Sequence, residues 1–227
     1  MINELLWVLL MLVNFAGIIL AYRFFGKSGL YAWIAMAIII ANVQVLKTIP
    51  FFGLITALGN IIYGTTFLVT DILCENHSKS EAKKAVLVGF FILIIVTIIM
   101  QICLRFVPHE SDFSQKALET IFGFLPRIAF ASLTAYLISQ FHDVWAFNLW
   151  KKLTGGRYLW FRNNMSTMVS QLIDNIIFTL IAFIGVFSFG VMFQIFITSY
   201  FMKFIVAACD TPFLYIAKWI KKRYKIK

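Results

Sequence analysis

Long apolar runs constrain this chain more than any other feature. Residues 5–22 and 85–104 carry no charged side chain. Each is about 18–20 residues long, the length a helix needs to cross ~30 Å of hydrocarbon. Roughly seven such runs follow one another, where a soluble protein has one or two at most. Composition agrees: 61% of the 227 residues are hydrophobic and 13% are charged, against about 45–50% and about 25% in soluble domains. The mean hydropathy is +0.88. The chain reads as all-α, a polytopic membrane bundle of six to seven transmembrane helices, with 1–227 as a single integral membrane domain.

Seven spans are predicted, at 5–22, 29–46, 51–73, 85–104, 121–143, 166–187 and 189–208. The first lacks the basic start of a signal peptide and reads as a retained helix. KTIP joins spans two and three. Ser188 alone separates six from seven, which reads either as a tight turn, with Gly185 and Gly190 nearby, or as a kink in one broken helix. Of the twenty Lys and Arg, fifteen fall on one set of alternating connections and three on the other. Basic residues gather on the cytoplasmic side, so the C-terminus is placed inside and the N-terminus outside. This bias also accounts for the net charge of +10 without nucleic acid. The tail KWIKKRYKIK suits anionic headgroups as well.

SQFHDVWAFNL at 139–149 and SQLIDNIIFTL at 170–180 place Ser, Gln and Asp in the same spacing inside apolar surroundings. An aspartate at mid-membrane costs about 2.5–3.5 kcal/mol on the insertion scale. Its default meaning is a functional site facing the bundle interior. On helices, Ser132, Tyr136, Gln140, Asp143 and Phe147 form one stripe. Thr167, Gln171, Asp174 and Phe178 form another. The two spans are consecutive and antiparallel, so both stripes are expected at similar depth, in the cytoplasmic half. The plainer alternative is interhelical hydrogen bonding, which is worth only about 0.6 kcal/mol.

Three further groups stand out. Asp71, Glu75 and Lys79 are spaced by four and would line one helical edge, with Glu75 and Lys79 in the favourable ion-pair order; a solvated helix end explains them equally well. Arg127 follows Pro126 in span five and either snorkels outward or pairs with an acid in a gate. Lys203 and Asp210 are seven apart, yet Asp210-Thr211-Pro212 reads as a helix break with Asp210 as N-cap of the final basic helix. The cysteines and histidines are scattered, with no CxxC or HExxH. GxSxG and the phosphate loop GxxxxGK[ST] are missing too. Neither catalysis, a metal, a cofactor nor ATP hydrolysis is expected.

Thr70-Asp71-Ile72-Leu73-Cys74-Glu75, followed by Lys79 and Ala82-Lys83, resembles the TDxxxE…GKxxAR signature of the queuosine precursor transporter family, also called the vitamin-uptake-transporter family. So do Trp160-Phe161-Arg162-Asn163, Ser166-Thr167 and Ser170-Gln171-Leu172-Ile173-Asp174 with Phe178. Arg127, Ser132, Ser139-Gln140, Lys203 and Thr211-Pro212 extend the match from about Asn42 to Pro212. His77-Ser78 stand where the family often has Tyr-Gly, which puts the local turn in question.

The resemblance implies a bacterial inner-membrane importer of deazaguanine bases. It also implies a fold similar to the substrate-binding components of energy-coupling-factor transporters. A guanine-like ring offers N–H donors and a carbonyl. A carboxylate accepts only, and an amide does both. Asp174 then suits the ring N–H and amino group. Gln171, Gln140 or Asn163 suit the carbonyl and ring nitrogens, with Asp143 beside them. Phe178, Trp145 or Trp160 suit the flat face. Asp71, Glu75, Lys79, Arg127, Arg162 and Lys203 form an expected gate or cytoplasmic network. Partners are the small deazapurine and the bilayer, without direct nucleic acid; a homo-oligomer or a coupling module stays open. The rival reading is a binding subunit docked on an ATP-driven module, for which Ala37 and Ala41 offer one small-residue pair.

Overall fold

The computed structural model describes the backbone of residues 2–155 and 159–226. The side chains of 140, 143–144, 147–148, 151, 159–164, 166–167 and 207–208 lie outside the described residues. The elements in order are α1 (Ile2–Gln44), β1 (Thr48–Phe51), β2 (Leu54–Ala57), α2 (Gly59–Asn76), α3 (Lys79–Cys103), α4 (Gln115–Phe122), α5 (Leu125–Leu153), α6 (Leu159–Phe183) and α7 (Phe189–Tyr224). They fall into two compact units, Met1–Pro126 with Phe201–Lys227, and Arg127–Tyr200. Four helices among the described residues are long and apolar enough to cross a membrane, and Met168–Phe183 is a shorter apolar one. The chain is a polytopic membrane helix bundle. In hydrocarbon the helix satisfies every backbone group internally, which is why the apolar runs take this form.

In the first unit, α1 is two predicted spans separated by a sharp break. Gly26 has φ 58° and ψ −138°, a conformation that only glycine adopts cheaply, and it sits between Arg23 and Lys27. The two halves fold back on each other closely: a Cβ on Gly17 would lie 2.2 Å from the Trp33 ring. The second half of α1 then packs on α2. Ala37 and Ala41 are buried with Ile62 at the centre of that contact. The small-residue pair that offered a docking face is therefore consumed inside the chain.

Apolar side chains also cover the outside. On α3, Leu87, Phe91, Ile94, Ile95, Ile98, Ile99 and Ile102 are all exposed, an arrangement suited to lipid and costly in water. Hydroxyls in these helices are satisfied locally. Thr65, Thr66, Thr70 and Thr97 donate to carbonyls three or four residues earlier, which keeps these four O–H groups from being bare in an apolar setting.

Three expectations need correction. The third span was expected to be helical from residue 51. Instead Thr48–Phe51 and Leu54–Ala57 form an antiparallel hairpin, with Thr48 opposite Ala57 and Phe51 opposite Leu54. Phe52 and Gly53 both have positive φ, the two-residue turn that matches strand twist. The hairpin is held by the chain's start: Asn3 donates to the Pro50 carbonyl at 2.8 Å and Phe51 stacks on Trp7 at 5.6 Å. An apolar run had concealed a strand pair.

The second correction concerns Asp210-Thr211-Pro212. α7 runs through Pro212 without a break, so Asp210 is an interior helical residue and no N-cap. Membrane helices tolerate such prolines because neighbouring groups re-satisfy the freed carbonyl. Third, α6 begins at Leu159, seven residues before the predicted 166. Spans six and seven are separate helices, joined by a turn at 184–188.

The α2–α3 connection, where His77-Ser78 replace the expected Tyr-Gly, is well formed. His77 N–H returns to the Leu73 carbonyl as the C-cap of α2. Ser78 is the N-cap of α3, its Oγ accepting from the Glu81 N–H. The Tyr22 hydroxyl lies 3.2 Å from His77 Nε2 and accepts from Asn76 Nδ2 at 3.1 Å. Asn76 also donates to the Ala217 carbonyl, and its own carbonyl accepts from the Lys221 ammonium. Burial, then the charges of Lys221 and Lys27, holds the His77 ring below the usual histidine range.

A histidine that resists protonation in the folded state binds fewer protons there than when unfolded. Stability is full above the unfolded pKa and declines as pH falls below it. Wild-type protein in detergent is expected to lose melting temperature between about pH 7.5 and about pH 5.5, and His77→Gln to lose less over the same interval. Equal losses in a thermal melt refute this.

Candidate functional site

The polar stripe of α6 sits in the second unit. Gln171 is the midpoint of α6, twelve residues from Leu159 and from Phe183, or about 18 Å from either end at 1.5 Å per residue. Asp174 is one turn further, nine residues before the helix end. Gln171 and Asp174 are half-buried and engage neighbouring groups. Phe178, on the same stripe, meets Phe183 edge-on at 5.9 Å.

α5 and α6 are tied at two levels. Near the start of α5, Arg127 Nε donates to the Ile181 carbonyl at 2.7 Å and Nη2 to that of Ile184 at 2.5 Å. Those carbonyls are orphans of the α6 terminus. A cation there also complements the helix dipole. Deeper along the pair, His142 Nδ1 lies 3.0 Å from the Ser170 hydroxyl. This bond joins the first SQxxD copy directly to the second, so both polar triplets occupy one level of the helix pair. His142 also lies against Trp145, ring centroids 5.7 Å apart. Trp145 itself is 60% exposed.

The α6–α7 contact adds Asn175, almost fully buried, whose amide donates to the Phe196 carbonyl at 2.8 Å. A 180 Å³ hollow lined by Ile176, Thr179, Leu180, Phe189, Met192, Phe193 and Phe196 lies on this side of α6, away from the Gln171–Phe178 stripe. His142, Ser170 and Asn175 escaped the sequence reading as partners. A lone polar residue in an apolar run signals only that some partner exists, never which one.

Gln140, Asp143, Asn163, Trp160 and Arg162 carry side chains outside the described residues. Asp71, Glu75, Lys79 and Lys203 lie in the first unit. The expected edge through Asp71, Glu75 and Lys79 is interrupted, because α2 ends at Asn76 and Lys79 opens α3. Glu75 instead accepts from Lys218 at 2.6 Å, and this bond keeps its carboxyl below the usual range. Lys203 lies over the Tyr63 ring at 5.6 Å. Sequence reading also missed Glu81, which takes the Tyr31 hydroxyl at 2.6 Å and Lys27 at 3.2 Å.

Gln171 and Asp174 within an apolar helix of a polytopic bundle suit a membrane transporter better than a scaffold. The family described as "Putative vitamin uptake transporter" matches residues 57–217, more than half of the chain, and the chain belongs to that family. It is 46% identical over 219 residues to a "Probable queuosine precursor transporter" of Bacillus subtilis (strain 168), covering 96% of both chains. A protein of the same description from Haemophilus influenzae is 29% identical over 126 residues, covering 55% of this chain and 51% of the relative. No solved structure matches the chain.

Proposed function

We propose that this protein imports queuosine precursors, 7-deazaguanine bases such as preQ0, preQ1 or queuine, across the bacterial inner membrane by alternating access. The whole chain acts as one transporter domain, with the C-terminus in the cytoplasm and the N-terminus outside. The observation that carries the reading is the 46% identity to the Bacillus relative, sustained over 96% of both chains. The chemistry agrees with it. Asp174 and Gln171 supply an acceptor and an amide at the centre of α6, the complement of a guanine edge. Phe178 adds a ring to the same stripe.

Gln140, Asp143 and Asn163 are assigned to the same pocket, with Trp145 and Trp160 as stacking partners. Arg162, Asp71, Glu75, Lys79 and Lys203 are assigned to the cytoplasmic network and Arg127 to the outer closure. The chain works without a cofactor, as a transporter and not an enzyme. Docking on an ATP-driven module has lost its one sequence sign, since Ala37 and Ala41 are packed against Ile62.

The test is a rescue in a queuosine-auxotrophic host lacking its own importer, fed one base at a time. Restored tRNA modification is expected with at least one of the three bases, in cells stripped of any coupling module. Failure with all three at normal expression ends the reading.

A further inference from the structure

Asp210 is the buried carboxylate that the substrate stripe does not use. It is 6% exposed, and among the described residues no hydrogen bond or ion pair reaches it. Its surroundings follow from the contact between α2 and the later part of α7. Lys203 lies over Tyr63 at 5.6 Å, and a Cβ on Gly64 would touch Val206 at 3.4 Å. Further along both helices, Glu75 meets Lys218 and Asn76 meets Ala217. The contacts climb both chains in the same direction, so the helices run parallel. Asp71 and Asp210 lie between these two levels; Asp71 is seven residues after Gly64 and Asp210 seven before Ala217, so each is on the side of its helix that faces the other. Asp71 is exposed while Asp210 is enclosed.

The other titratable groups near the pair have engagements elsewhere. Glu75 holds Lys218, and Tyr22 from α1 bonds Asn76 and His77. Lys203 covers Tyr63. Cys74 lies within charge range of Asp71 and Lys79. From α1, Phe15 packs on Phe213 at 4.8 Å and brings no charge. A buried carboxylate without a counter-ion is neutralised by binding a proton, and two interacting carboxylates titrate as one unit. Hard divalent cations ask for about six or more oxygens, and the described residues contain no group of three or more His, Cys, Asp or Glu.

We propose that Asp71 and Asp210 form a proton-binding pair between α2 and α7, and that the proton they carry is the coupling ion for import. The proton sits on a carboxyl oxygen of Asp210 and leaves to water through the exposed carboxylate of Asp71. Only an O–H bond forms and breaks. The coupling half of this assignment rests on the import reading; the proton site does not.

The test uses the full chain in proteoliposomes holding a pH-sensitive dye, with preQ0, preQ1 or queuine outside. The transported base is expected to acidify the lumen, and an acid-outside gradient to stimulate uptake. Asp210→Asn and Asp71→Asn are each expected to lose that stimulation while eluting as folded, monodisperse protein. Independently of any substrate, difference infrared spectroscopy of wild type against Asp210→Asn is expected to show a carboxylic-acid C=O band that grows in between neutral and mildly acid pH and that the variant lacks; if Asp210→Asn does not fold, Asp71→Asn shifts that band. Transport with no lumenal pH change, or stimulation by a sodium gradient instead, overturns the coupling; the absence of such a band overturns the pair. A band without transport of any base removes the coupling and the import reading together, and leaves the proton site standing.

Discussion

Asp174→Asn is expected to weaken deazaguanine binding by about 10- to 100-fold, and Gln171→Ala by about tenfold. Hydrogen bonds to a charged group contribute about 1.5–3 kcal/mol, and about 1.4 kcal/mol is a factor of ten in affinity. The Asn side chain keeps the shape of Asp and gives up the charge that holds the ring donors. Both side chains are only half-buried, so neither change opens a large cavity and the fold survives. Calorimetric titration of purified, monodisperse protein with each base reads the effect. Wild-type affinity in both variants would remove the site from α6.

The second large effect is on the fold. Gly59, the first residue of α2, approaches α1 so closely that a Cβ would lie 2.2 Å from the Ala41 carbonyl oxygen and 2.8 Å from the Val45 nitrogen. Both are backbone atoms and cannot rotate aside. Overpacking a core costs about 1–3 kcal/mol when side chains can adjust, and here the helices themselves must separate. Gly59→Val is therefore expected to lower the melting temperature sharply or to abolish monodisperse protein. Gly190→Ala is the matched control. Gly190 is helical and a Cβ there meets nothing within 4 Å, so the change is neutral or stabilises by about 0.4–1 kcal/mol. Comparable losses in both variants, read by size-exclusion profile and thermal melt, would refute the close approach.

The contrast between α1 and β1–β2 indicates what an apolar sequence makes legible. Residues 5–22 and 29–46 are correctly two helices, because length, hydropathy and Arg23 and Lys27 at the join all agree with the break at Gly26. Residues 51–57 have the same hydropathy yet form half of a hairpin and its turn. Only pairing with Thr48–Phe51 and the anchorage to Asn3 and Trp7 distinguish them, and neither is a local property. Asp210 shows the same limit. Asp-Thr-Pro is a strong local signal for a helix start, and the packing of α7 against α2 overrides it.

By itself the sequence determined the all-helical membrane class, the approximate spans, and the Gln171–Asp174 stripe. These follow from hydropathy, length and helical period, which are properties of neighbouring residues. The tertiary structure alone decided that His142 meets Ser170, that Asn175 meets Phe196, that Glu75 chooses Lys218, and that Asp210 is buried within α7. Lone polar groups in oil must find partners. Every buried helix face offers the same apolar surroundings, so the choice among partners rests on which helices pack together and in what register.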